Sequence, residues 1–151
     1  MKLRWGALSF VLVLSALMPR VLTAQGGQNP SRESKSGVLK QNYPNPFNPE
    51  TRIPFTVGDE KCVDPGRQYK VSLRIYNILS QLVAIPVLQG GTGNVAQGGV
   101  KIANVMLTCG DYVAYWNGKF MDTKNEVASG VYLYELRIDN QSLVRRMLVT
   151  K

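Results

Sequence analysis

From Arg52 to the last residue the chain alternates apolar and polar positions. In Arg52-Ile53-Pro54-Phe55-Thr56-Val57 the residues Ile53, Phe55 and Val57 fall on one face, which predicts a strand. Pro54 has no N–H to give a ladder, so this strand is expected at a sheet edge, or Pro54 near a strand start. Asp64-Pro65-Gly66 marks a turn. Tyr69, Val71, Leu73 and Ile75 then alternate with Lys70, Ser72, Arg74 and Tyr76 in a second strand. Asn77 to Ser80 predicts a tight turn, and Gln81 to Leu88 a third strand ended by Gly90-Gly91. After a Gly-rich stretch, Val100 to Leu107 offers a short fourth strand. Asp111 to Trp116 is a further strand closed by Asn117-Gly118, and Lys119 to Glu126 a polar loop. Val131 to Ile138 and Ser142 to Thr150 form a final hairpin about Asp139-Asn140. No segment after residue 39 carries helical spacing over eleven residues. The pattern predicts an all-β fold, an antiparallel β-sandwich of about seven strands.

Ahead of this region the pattern changes twice. Lys2 and Arg4 precede an apolar run from Trp5 to Met18, Pro19 breaks it, and Leu22-Thr23-Ala24 offers a cleavage site before Gln25. This reads as a signal peptide over 1–24. The alternative, a membrane anchor, needs about 20 apolar residues, and this run has 14. Residues 25–38 are Gly, Ser, Asn, Gln and charge and predict a flexible linker. The remaining 113 residues, 39–151, are enough to bury roughly 65% of their unfolded surface around one core.

The domain opens on Gln41-Asn42-Tyr43-Pro44-Asn45-Pro46-Phe47-Asn48-Pro49. Each proline fixes φ near −65° and lacks a donor. Each Asn before a proline is pushed toward extended geometry. A stiff, non-helical lead-in is expected, with Tyr43 and Phe47 pinning it to the core.

Charge and cysteine content narrow the function classes. Removal of 1–24 leaves 15 basic and 10 acidic residues, net +5, and the cations are scattered singly apart from Arg145-Arg146. That is a solvated, mildly basic surface with no nucleic-acid motif, which at most attracts acidic glycans or lipid headgroups weakly. The chain has no His, which excludes a Ser–His or Cys–His nucleophile and leaves too few ligands for zinc. Asp111, Asp122, Glu126 and Asp139 show no catalytic spacing, and neither an enzyme nor a small-molecule substrate is expected. Asn117, Asp122 and Glu126 share one loop, but such loops are polar by default, so no metal or cofactor is expected. Cys62 and Cys109 fit a disulfide in an oxidising compartment. In a meander the loops after the first and third strands share a pole. The two cysteines therefore meet if Val100–Leu107 is a hairpin excursion, and do not if it is a full core strand.

The chain from Leu39 to Lys151 resembles the type A C-terminal sorting domain of the type IX secretion system. That domain is an immunoglobulin-like sandwich related to the Ig-like module of flagellar hook-capping proteins. The resemblance runs in order through the opening motif Leu39 to Thr51, then Val71-Ser72-Leu73-Arg74-Ile75-Tyr76-Asn77-Ile78-Leu79-Ser80-Gln81-Leu82-Val83, with Ser80 where the family commonly has Gly. Tyr115-Trp116-Asn117-Gly118 is similar to its Trp-Asp-Gly, with Asn for Asp. Val127-Ala128-Ser129-Gly130-Val131-Tyr132-Leu133-Tyr134 is similar to its last hairpin, and Ser142 to Lys151 to its terminal strand. The stretch from Gln89 to Cys109 is longer than the family's connection, and the two cysteines are not part of its pattern. For Trp116, Tyr132 and Tyr134 core packing is the expected role, with a partner needed for the Trp116 N–H.

The resemblance implies an export label. The precursor would cross the inner membrane through the Sec translocon by its signal peptide. The folded C-terminal domain would then be recognised by the type IX machinery of the outer membrane, placing the product at the outer surface of a bacterium or in its medium. The terminal strand would dock by β-augmentation. In that reading Val144, Met147, Leu148 and Val149 hold the strand to the sheet, and Arg145, Arg146 and Lys151 face the machinery. Only about 15 residues would precede the module after cleavage, so the module is expected to be itself a small surface protein, ahead of a minimal or truncated gene. The competing expectation is an extracellular Ig-like structural or binding module without a sorting role. A hook-capping fragment fits less well, because such proteins do not use a signal peptide.

Overall fold

A computed structural model describes residues 36–59, 61–93 and 99–151. The expected signal peptide, 1–24, and most of the expected linker lie outside the described residues. The described residues form nine strands: β1 (Gly37–Leu39), β2 (Thr51–Val57), β3 (Gln68–Tyr76), β4 (Leu82–Ala84), β5 (Val87–Gly91), β6 (Val105–Thr108), β7 (Gly110–Trp116), β8 (Gly130–Ile138) and β9 (Gln141–Val149). One sheet runs β1-β2-β7-β5. The other runs β4-β3-β8-β9, with β6 also on β3. All named pairs are antiparallel. The result is an antiparallel sandwich, consistent with the immunoglobulin-like expectation.

Alternation builds the core as the sequence predicts. Ile53, Phe55 and Val57 from one sheet face Val71, Leu73, Ile75, Tyr134, Leu136 and Ile138 from the other, all of them fully buried. Phe55 stacks on Tyr112 with ring centroids 5.5 Å apart. Burial of each such side chain stabilises by about 1.5–3 kcal/mol relative to exposure.

Nine strands replace the expected seven for two local reasons. Residues 37–39, expected as the last two residues of the linker and the first of the domain, pair with β2 as β1, with Leu39 inward and Val38 outward. The expected third strand, Gln81 to Leu88, is two strands in different sheets: β4 pairs with β3 and β5 with β7. The chain changes sheets at Ile85-Pro86. Pro86 gives no ladder donor, and its carbonyl accepts the N–H of Ile102, 2.9 Å away. The fourth expected strand is regular over Val105–Thr108 and lies on the first half of β3, whose second half pairs with β4. It is thus a short strand on half of β3 that still gives Leu107 to the core.

Pro54 is not at an edge: β2 lies between β1 and β7. Neighbouring N–H and C=O groups of one strand residue point to the same side. The Pro54 carbonyl accepts Lys40 N–H at 3.0 Å, so its missing donor also faces the place where β1 peels away. The Lys40 carbonyl, left without that donor, accepts the Tyr134 hydroxyl at 3.0 Å.

Cys62 and Cys109 are joined as a disulfide, with Cα atoms 5.8 Å apart. The meander behind the sequence expectation does not exist, since β2 neighbours β7 rather than β3. The cysteines meet because Val57 pairs with Gly110, so the end of β2 lies beside the start of β7. Closing a loop of 47 residues stabilises by about 4 kcal/mol in the chain-entropy model.

Candidate functional site: the terminal strand and the segment that covers it

The terminal strand β9 is an edge strand whose single ladder partner in its sheet is β8. A two-residue turn, Asp139-Asn140, pairs Ile138 with Gln141. Residues 141, 143, 145, 147 and 149 therefore direct their backbone groups to β8, and 142, 144, 146, 148 and 150 direct theirs outward.

The second half of that outer edge is not open. The opening motif lies along it. Phe47 N–H donates to the Leu148 carbonyl at 3.0 Å, and Thr150 N–H donates to the Phe47 carbonyl at 3.1 Å. Leu148 N–H donates to Asn45 Oδ1 at 2.9 Å, and Gln41 Nε2 to the Arg146 carbonyl at 3.2 Å. The side chain of Asn45 thus stands in for a strand. The proline that follows holds its backbone extended, which suits that placement.

Phe47 fastens the segment. It is 1% exposed, and its ring meets Trp116 edge-on with centroids 5.3 Å apart. Trp116 in turn packs on Tyr132 at 6.0 Å, and its Nε1–H donates to the Lys119 carbonyl at 3.0 Å. Gly118 has φ +71°, and a Cβ there would collide with the Pro49 carbonyl oxygen. The Trp116-Asn117-Gly118 turn and the opening motif therefore fit each other. Buried Asn42 completes the clasp: its amide donates to the Pro44 carbonyl and Thr51 Oγ1, and its N–H to the Tyr134 hydroxyl. Burial pushes the Tyr134 phenol above its ordinary value. Tyr43, expected to pin the segment as Phe47 does, is half-exposed; its main chain bonds to Arg52, and its ring lies outside the core.

The three cations expected to face a partner do not share a surface. Arg145 occupies an inward-facing register position, and its Nε donates to the Leu39 carbonyl of the opposite sheet at 2.7 Å. An inward-turned charge on an edge strand is a known block to edge pairing. Arg146 stands on the outer face opposite Leu133. Lys151 N–H donates to Ser129 Oγ at 3.1 Å, and its Nζ lies 3.6 Å from Glu126. Met147 and Val149 hold the strand to the core as expected, whereas Val144 and Leu148 are exposed, because even positions face solvent. Between Ser142 and Arg146 the outward backbone groups other than the Arg146 carbonyl make no hydrogen bond among the described residues.

Next to this edge, Glu135 accepts from Ser142 Oγ at 2.7 Å, Arg137 Nε at 2.8 Å and the Tyr76 hydroxyl at 3.2 Å. Burial pushes Glu135 up, but those donors outweigh it and hold the carboxyl below its usual range. Asn117, Asp122 and Glu126 are not brought together. Asp122 pairs with Lys101, Glu126 with Lys151, and Asn117 Oδ1 accepts the N–H of Lys119. Among the described residues no group of three or more acidic or cysteine side chains is placed to hold a metal.

The sequence reading missed Gln41, Asn45 and the Tyr134 hydroxyl as parts of this edge. An Asn fixed extended before a proline, with a free side-chain acceptor, is the signal that marked Asn45. Comparison of the chain with protein-family models, with curated proteins and with solved structures returned no match.

Proposed function

We propose that the chain is a non-enzymatic export module, a type IX sorting domain that directs passage across the outer membrane to the outer cell surface. In this reading the Sec translocon takes the precursor to the periplasm and the outer-membrane machinery takes the folded domain onward. The observation that carries it is the joining of the two ends of the sequence resemblance. The opening motif is hydrogen-bonded to the second half of the terminal strand, which leaves the outward groups from Ser142 to the Arg146 N–H as the uncovered stretch of an edge that pairing with β8 holds in place. A label read in the folded state needs such a coupling. The disulfide is compatible with the periplasmic and extracellular stages, since such bonds persist in oxidising compartments.

A second reading keeps the same compartment without sorting: an extracellular Ig-like structural or binding module. The short open stretch of β9 favours it, because main-chain pairing over so few residues leaves affinity to side-chain pockets.

The test inserts a fluorescent reporter between residues 28 and 29 of the full chain, in a host with type IX secretion. The export reading expects the reporter on the surface or in the medium of the parent strain and in the periplasm of a secretion mutant. It further expects Val144→Pro, which removes an outward donor and leaves the β8 ladder intact, to hold the reporter in the periplasm. Periplasmic reporter in both strains removes the sorting role and leaves the second reading.

A further inference from the structure

We propose that the outer face of the β4-β3-β8-β9 sheet binds an acidic polysaccharide, in a depression of about 400 Å³ bounded by Lys70, Arg74 and Arg137. The proposal goes beyond export and stands whether or not the chain is a sorting domain.

The two sheet faces differ in how their charges are matched. On the outer face of the other sheet two cations stand with two carboxylates: Lys40 lies 3.4 Å from Asp111, and Arg52 pairs in register with Tyr115, whose hydroxyl donates to Glu50. On the proposed face, alternation places Lys70, Ser72, Arg74 and Tyr76 of β3 beside Glu135 and Arg137 of β8 and Val144 and Arg146 of β9. Four cations there meet one strand carboxylate, Glu135, which is already held by Arg137, Ser142 and Tyr76. Asp139 at the rim accepts the backbone N–H of Lys70 at 2.9 Å and lies 3.9 Å from Arg67. Among the described residues the side chains of Lys70, Arg74 and Arg146 form no ion pair.

The neutral lining suits a hydroxylated polymer. Ser72 Oγ and Asn104 bond to each other at 2.9 Å on the floor, and Asn140 stands at the rim. Lys70 and Arg74 are roughly 13 Å apart along β3, with Arg137 one strand away. That spread matches charges repeated along a chain rather than one phosphate. Insertion into a bilayer interface relies on an apolar face, and this depression is lined by charged and polar side chains alone. Single-stranded nucleic acid needs stacking platforms, and the one aromatic residue among these described strand positions, Tyr76, has its hydroxyl tied to Glu135.

The test measures binding of the full chain, disulfide intact, to immobilised dextran sulfate and to neutral dextran. Binding to the sulfated polymer alone is expected, weakening steeply with salt. Lys70→Gln with Arg74→Gln is expected to raise Kd roughly tenfold, and the charge-matched control Lys119→Gln with Lys124→Gln less than roughly twofold. Asn140→Lys is expected to tighten binding severalfold, a gain that misfolding cannot mimic. Equal losses in the two double variants reduce the effect to net charge and overturn the site. So does the absence of dextran sulfate binding, or tighter binding to vesicles of anionic phospholipid or to an oligonucleotide at the same salt.

Discussion

The two poles of the sandwich are closed by different means. At the pole where β7 ends, the opening motif, Trp116, Tyr132 and Gly118 interlock, and closure comes from apolar area and shape. At the pole where β7 begins, the loop after β2 carries an exposed Val63, a run of polar residues and turn-forming Asp64-Pro65-Gly66. It buries little, and a covalent bond from Cys62 to Cys109 ties it down. Gly58 packs against Cys109, where a Cβ would come within 2.7 Å of its sulfur. A chain segment rich in aromatic anchors holds itself, whereas one without them needs a cross-link.

The largest single loss is expected at the aromatic pole. Trp116→Ala removes the ring between Phe47 and Tyr132 and is expected to destabilise by about 3–5 kcal/mol, measured by urea unfolding. The same variant should release the opening motif, so amide exchange at Phe47 and Thr150 is expected to rise well ahead of exchange in β3. Unchanged protection there would show that the segment is held by its backbone bonds alone.

At the other pole, Cys62→Ala with Cys109→Ala is expected to lose about 4 kcal/mol, because the cross-link acts on the unfolded chain. It differs in kind from the tryptophan variant: exchange at Phe47 and Thr150 should follow global stability without separate loosening. Loss of protection at the opening motif in the cysteine variant would break the contrast between the poles.

Gly118→Ala probes shape at the aromatic pole without removing any apolar area. A positive φ and the Pro49 carbonyl both oppose a Cβ, and a loss of about 1–3 kcal/mol is expected in thermal unfolding. A Tm within a degree of the parent's would mean that the turn and the opening motif separate freely.

The same contrast explains what was legible in the sequence. Period-two alternation in residues 53–57, 69–75 and 131–138 is a direct trace of burial, and those strands stand where the pattern placed them. Phe47 and Trp116 were legible as anchors because a large aromatic residue has few other uses. The strand pairings were not legible, because alternation fixes a face and says nothing of a neighbour. Val83 and Leu88 belong to different sheets although they read as one strand. Pro54 sits in an interior strand because its neighbour β1 ends just before the missing donor matters. Of the terminal edge, the strand itself was legible and its cover was not. Asn45 and Gln41 act through side chains across more than 100 residues, and Arg145 turns inward to a carbonyl on β1, an environment that only the assembled sheets create.

The smallest expected effect isolates one hydroxyl of the clasp. Tyr134→Phe keeps the buried ring and deletes the group that donates to the Lys40 carbonyl and accepts from Asn42 N–H. Leaving those groups unpaired is expected to lower stability by about 1–2 kcal/mol at pH 7. The pH dependence separates this from a packing defect. Burial raises the folded-state pKa of Tyr134 above the ordinary 10.0. The stability tied to its neutral form is therefore complete below pH 10 and is lost as the pH rises through the folded-state value. Phenylalanine does not titrate, so the gap between parent and variant should be constant from neutral pH to about pH 9 and narrow above pH 10. Tyr132, also raised by burial, titrates in both proteins and drops out of the difference. A gap that stays constant through pH 11 would mean that the Tyr134 hydroxyl is free to ionise where it stands, and that Phe47 and Trp116 hold the opening segment without it.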